Sequence, residues 1–277
     1  NLFPKDVFFF DHHLCHAIPS YYLSPFSGEE ALSLTIDGQG DGYFSKLFYF
    51  NGKGNYKLVG KSSADFLGEG DKFLSIGRLY NYFTSAMDLR PNSDEGKVEA
   101  LAAYGTADES LYQSLMRATS IDKSHLSINY DVEKIIHFYD ISWLKKQREI
   151  VGDENFCASI QKYLEDIIVE YLNLAFKKYP TKNLCLSGGV AANIIMSLSI
   201  YEKTNFKNIY VYPAMGDDGL ALGSALLTAH SKNEDISWLK AFQMPYFGDS
   251  YSQSQVKDVL DQFDNIVYED LGDNWPK

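Results

Sequence analysis

Half of the six histidines in the chain fall within Asp11-His12-His13-Leu14-Cys15-His16. Residues four apart share one face of a helix, so His12 and His16 can offer both imidazoles to a single metal ion, while His13 points elsewhere. The same spacing also suits a polar helix start with no metal, and Cys15 reads as a small buried residue. In Asp37-Gly38-Gln39-Gly40-Asp41-Gly42, Gly38 and Gly40 would let backbone N–H groups approach a phosphate, and Asp37 can hold a cation. A plain hairpin turn has the same composition. Ser187-Gly188-Gly189-Val190-Ala191-Ala192-Asn193 joins a strand to a helix. The helix start offers free N–H groups to an anion, and Asn193 is placed to touch a nucleotide. Alternatively, Gly188 and Gly189 give only packing clearance. Asp217 and Asp218 either cap a helix or add an oxygen to a metal already held by two histidines. Two histidines and a carboxylate suit a divalent transition metal with open positions for carbonyl or phosphoryl oxygens. Lys97 is either a cation for a phosphate or leaving group, or a solvated helix residue. Glu69 and Asp71 form a further acidic, Gly-rich loop that reads as a solvated turn.

Such groups need strands and helices to bring them together. Val7-Phe8-Phe9-Phe10-Asp11 reads as a buried strand ending in a polar turn, followed by a helix over His12–Tyr22. Strands are expected at Ala31–Ile36, Tyr43–Phe50 and Tyr56–Lys61, the last two joined by the hairpin chemistry of Asn51–Asn55. Helical spacing then marks Ser75–Met87, Asp94–Ala103 and Glu154–Lys178. The stretch 120–143 carries no single period. Strand Asn183–Leu186, helix Val190–Tyr201, strand Ile209–Tyr212 and helix Leu220–Ala229 alternate, which implies a largely parallel sheet with ligands at the strand C-termini. Ser252–Phe263 is a last helix candidate. The fold class is therefore α/β.

Of the 277 residues, 45% are hydrophobic, with 20 Tyr and 18 Phe, which excludes a disordered chain. A formal charge of −12 opposes a broad polyanion-binding face, so no nucleic-acid partner is expected. Three widely spaced cysteines give no disulfide framework or zinc motif. No apolar run approaches the ~20 residues that span a bilayer. No secretory signal opens the chain. The expected setting is cytoplasmic, with no membrane partner.

Taken in order, HHLCHA, DGQGDG, SIGRLYNYFT, DEGKVEALAAYG, LCLSGGVAANIIM and YPAMGDDGLALGSAL resemble the nodulation-type O-carbamoyltransferases, the NodU/CmcH family. The resemblance runs from about Phe8 to Ala229 and continues loosely through Pro245-Tyr246-Phe247-Gly248. It implies an actin-like ATPase fold, of which the βββαβα order read above fits one lobe. It also implies ATP-dependent transfer of a carbamoyl group from carbamoyl phosphate to a hydroxyl on a sugar or natural product. The carbamoyl-adenylate would be made in a separate C-terminal YrdC-like domain, and the transfer would occur at an iron(II) or similar divalent site. By motif, His12, His16, Asp217 and, less directly, Asp37 would hold the metal. Gly38, Gly188, Gly189 and Asn193 would face the adenylate, with Gly40 and Asp218 in the same nucleotide-binding turns. Lys97 is the expected catalytic cation at the leaving group, a role that the resemblance does not fix.

Departures from the family pattern shape the expected domains. Residues 1–28 would be the remnant of a first lobe, 29–232 a nearly complete second lobe, and 233–277 a tail and linker toward the YrdC-like domain. The chain is thus expected to be a fragment, inactive alone, whose first strand could pair with another copy to form a homo-oligomer. Asp88-Leu89-Arg90-Pro91 departs from the usual more hydrophobic, Gly-containing stretch. Three rivals remain: a threonylcarbamoyl-tRNA transferase, a sugar kinase, and a non-catalytic nucleotide-binding module of the same fold.

Overall fold

The structure, a computed structural model, describes residues 7–68, 73–236, 238–239 and 248–272. The loop carrying Glu69 and Asp71, and Pro245 to Phe247, lie outside the described residues. In chain order the elements are α1 (His12–Tyr22), β1 (Glu30–Gly40), β2 (Tyr43–Asn51), β3 (Tyr56–Ser63), α2 (Ile76–Ala86) and α3 (Glu95–Ala102). Next come α4 (Glu109–Arg117), β4 (Thr119–Asp122), β5 (Ser127–Tyr130), α5 (Val132–Ile135), α6 (Ile141–Val151) and α7 (Asp153–Lys178). The last are β6 (Asn183–Ser187), α8 (Ile194–Lys203), β7 (Asn208–Val211), α9 (Leu220–Ser231) and α10 (Gln253–Leu260). Residues 1–243 form one compact unit and 244–277 a second, which contains α10 and its Ser252–Gln255 capping box.

The first unit is built on a mixed sheet of order β3-β2-β1-β6-β7. The pairs β1–β2 and β2–β3 are antiparallel, while β1–β6 and β6–β7 are parallel. Alternation along β1 sorts its side chains between two layers. Leu32, Leu34 and Ile36 join a large core with α2, α3, α4, α6, α7 and α8. Ala31 faces the other way, into a smaller core with Cys15, Ala17, Ile18 and Tyr21 of α1 and Leu226 and Leu227 of α9. Ser33 and Thr35 share that second face, bonded to Ser20 and His13 of α1. Asp37 continues the odd series toward the same helix. Period two in the strand thus delivers a carboxylate to the histidine-bearing helix.

Val7 to Phe10 is not a strand. The segment is irregular, with Val7 64% and Phe9 93% exposed. No described strand pairs with it, and an apolar run without a ladder partner cannot satisfy its backbone as a buried strand. Residues 119–130, which lack a clear period, form the β4–β5 hairpin. Val190 does not begin α8. Gly189–Ala192 winds as a 3-10 turn, and Asn193 caps the α-helix that starts at Ile194. Among the described residues no helix is long and apolar enough to cross a membrane.

Candidate metal centre and cleft

Asp11 sets the start of α1 by accepting the Leu14 N–H at 2.9 Å, a helix N-cap. Lys46, buried on β2, pairs with the same carboxylate. Asp41 accepts the backbone N–H of His12 at 2.8 Å. With the helix start held, His12 and His16 fall on one face toward β1. His16 Nε2 lies 3.1 Å from Asp37 Oδ2 and 3.4 Å from Asp217 Oδ1. His12 Nε2 lies 3.7 Å from Asp37 Oδ2 and 3.6 Å from Asp217 Oδ1. One donor atom from each of the four residues lies within 4.8 Å of the other three. His12 Nε2, His16 Nε2 and Asp37 Oδ2 are buried, yet none makes a hydrogen bond. Buried polar atoms without partners are costly, so three converging on one point is the pattern of a set of metal donors. Imidazole nitrogens and carboxylate oxygens in this mixture fit a divalent transition metal.

The charges fit the same geometry. Burial opposes charge on His12, but the Asp37 carboxylate, with Asp217 and Asp41 beyond it, outweighs burial and raises the pKa above the ordinary histidine value. Burial also opposes charge on Asp37. The two imidazoles and the Gly38 N–H, which donates at 2.7 Å, overcome it and hold the carboxyl well below the usual range. His13 is different. Burial, helped by the nearby cations, pulls its pKa down to about 4. Its Nε2 lies 3.0 Å from the Tyr43 carbonyl and its Nδ1 2.8 Å from the Thr35 hydroxyl. A carbonyl can only accept, so Nε2 carries the proton, and His13 is a neutral tie between α1 and the sheet.

A cleft of about 660 Å³ adjoins the cluster, lined by Asp37, Gly38, Gly189, Asn193 and Asp217 among others. The residues singled out from sequence that are not in the cluster have structural partners or lie at the surface. Gly40 lies against the His12 ring; a Cβ there would stand 2.1 Å from His12 Cδ2. Its bareness makes room for a histidine. Gly188 has φ +87°, and a Cβ on it would meet the Ile36 carbonyl oxygen at 2.2 Å. Its N–H already donates to Met215 O at 2.7 Å, so it serves packing rather than a ligand. Asn193 accepts from Met196 N–H at 2.7 Å and donates to Gln161 at 2.8 Å, which occupies both ends of its amide. Asp218 is exposed and outside the four-residue cluster. Lys97 is 63% exposed, paired with Asp94 at 2.8 Å, and does not line the cleft. Arg78 and Glu99, which do line it, were not singled out by any motif reading; nothing in their spacing distinguishes them. Burial raises the Glu99 pKa, although its carboxylate accepts the Ile195 N–H at 2.8 Å.

The cluster lies at the carboxyl end of β1, where α/β sheets place their ligands, and its donor set is one that could hold a divalent ion. The family described as Carbamoyltransferase N-terminus matches residues 1–226, and the chain belongs to that family. It is 45% identical over its whole length to the uncharacterised protein MJ1058 of Methanocaldococcus jannaschii, of which it covers 47%. It is 30% identical to the nodulation protein NolNO of Sinorhizobium fredii, over 82% of this chain and 32% of that protein. The chain spans about half the length, or less, of the curated relatives it matches. A crystal structure of full-length HypF in its phosphate- and nucleotide-bound form shares the fold, with a TM-score of 0.55 at 15% identity. The likeness covers 83% of this chain and 44% of that one.

Proposed function

We propose that this chain carries the transfer site of an ATP-dependent O-carbamoyltransferase. The group would pass from carbamoyl phosphate, through a carbamoyl-adenylate, to a hydroxyl on a sugar or other small molecule. The convergence of His12, His16, Asp37 and Asp217 beside a cleft, in a chain of the carbamoyltransferase family, carries this reading. The sheet would be that of one lobe of an actin-like ATPase.

His12, His16, Asp37 and Asp217 would hold iron(II) or a similar divalent ion. A divalent metal bound there supplies a Lewis acid that polarises the carbamoyl carbonyl. The chain's own residues do the rest. Gly38 and Gly189 leave the cleft floor bare, so a nucleotide phosphate can approach the backbone. Asn193 and Gln161 lock the start of α8 rather than reach for the ligand. His13, neutral and doubly bonded, fixes the helix and takes no proton. Lys97 has no part in this scheme, since its cation is solvated and away from the cleft. The acceptor is a small hydroxyl compound rather than tRNA, in keeping with the charge of −12. Three free, buried cysteines suit a reducing, cytoplasmic setting.

The test is carbamoyl transfer by the full-length protein, given carbamoyl phosphate, ATP, iron(II) and a panel of hydroxylated acceptors, read by mass spectrometry. A carbamate ester that disappears in His16→Ala and Asp217→Ala supports the proposal. Product formation that survives both substitutions contradicts it.

A further inference from the structure

Resting on that reading of the cleft, we propose that Arg78 is its oxyanion receptor. Its guanidinium takes a phosphate or carboxylate of the bound substrate beside the metal-ligand cluster. Among the described residues lining the cleft, Arg78 alone is cationic, while Asp37, Glu95, Glu99 and Asp217 are acidic. Those acids do not neutralise it. Glu95 accepts the Asn92 N–H, Glu99 the Ile195 N–H, and Asp37 and Asp217 face the histidines. Arg78 Nε is buried and has no hydrogen-bond partner. A buried N–H left unpaired calls for a ligand, because that nitrogen gave up water without replacing it.

Placement adds a second, independent reason. Arg78 sits in the first turn of α2, where the backbone N–H of Arg78 is capped by Ser75 at 3.0 Å. That end of a helix disfavours a cation and welcomes an anion. The helix dipole therefore opposes the residue, whereas an oxyanion held by the guanidinium would offset that cost. The helix begins directly on the Asp37-Gly38 peptide: a Cβ on Gly77 would fall 2.8 Å from Asp37 O. Arg78 Nε stands 3.5 Å from the position of a Cβ on Gly38. An anion gripped in the planar fork of Arg78 thus lies next to Gly38 and one residue from the metal-ligand carboxylate.

Two sources share that chemistry, the phosphate of a nucleotide and an anionic group on the acceptor. Calorimetric titration of the 277-residue chain separates them, with AMP and adenosine added to wild type, Arg78→Met and Arg78→Lys at one ionic strength. If the nucleotide phosphate sits there, wild type binds AMP about tenfold or more tighter than adenosine. Arg78→Met loses that preference, Arg78→Lys keeps part of it, and adenosine binds all three alike. If the acceptor's anion sits there, the AMP preference is equal in all three. Inorganic phosphate then binds AMP-saturated wild type and not AMP-saturated Arg78→Met. The assignment is overturned if Arg78→Met changes neither measurement, or if wild type shows neither effect. Should Arg78→Met fail to fold, Arg78→Gln carries the same comparison. An unaltered Arg78→Met in an enzyme that still transfers carbamoyl groups would sink this assignment and leave the transfer reading intact. A lost phosphate preference in a protein with no transfer activity would do the reverse.

Discussion

Gly40 and His12 form one unit, since the ring occupies the space a side chain on Gly40 would need. Gly40→Ala puts a Cβ 2.1 Å from His12 Cδ2, and the ring must swing away. Metal affinity is expected to fall on the order of tenfold or more, as for loss of a group that orients a ligand. The thermal midpoint should move only a few degrees. Iron(II) titration beside a melting curve checks this, and an unchanged affinity would refute the role given to Gly40. His13 gives a pH signature. Its folded pKa of about 4 lies below the ordinary 6.5, so the unfolded chain takes up the proton first. The stability of a neutral His13 is therefore complete above pH ~6.5 and lost as pH falls toward ~4, about 3 kcal/mol in all. Urea midpoints at pH 7 and 4.5 should show wild type losing its advantage over His13→Gln. A gap that stays constant with pH would mean that His13 titrates normally.

The start of α1 is the element on which the centre depends. Asp11 caps it, Lys46 anchors the cap, and Asp41 holds the next N–H. Asp11→Ala removes the cap and leaves Lys46, with a side chain only 7% exposed, without its partner. Together these should cost about 3 kcal/mol in chemical denaturation. Asp11→Asn, which keeps the cap, should lose less; equal losses would show that the ion pair contributes nothing. This helix was legible from residues alone, because an i, i+4 histidine pair follows the polar turn at Asp11, whereas the Asp11 cap itself was not read. The alternating last third was legible for the same kind of reason, from strand and helix periods in turn. The β4–β5 hairpin was not, because each strand has only four residues, too few for a period to emerge. Val7–Phe10 misled because an apolar run looks alike whether a partner strand exists or not. Gly188 and Gly189 show the limit within a motif. Two adjacent glycines look equivalent, yet one packs under Ile36 and the other lines the cleft.

Across the whole first unit, the sheet order is what unites distant parts of the chain. The parallel pairing of β1 with β6 brings the turn after Ser187 beside Asp37 near the end of β1, and the loop before α9 brings Asp217 to α1. Histidine spacing pointed to two donors. The meeting of Asp37 and Asp217 with them depends on crossovers that spacing cannot encode; residue types alone left it open beside turn and helix-cap readings, and the family resemblance singled it out. Arg78 lay in a quoted motif but stood out only once the cleft walls were assembled. The central claim is that these four side chains form one metal centre. The most direct measurement is metal content, by elemental analysis, of the anaerobically purified and iron(II)-reconstituted chain beside its Asp217→Ala variant. About one ion per chain in wild type, lost in the variant while the fold is retained by circular dichroism, is the expected result. No bound ion in folded wild type, or one equally retained without Asp217, would contradict the account.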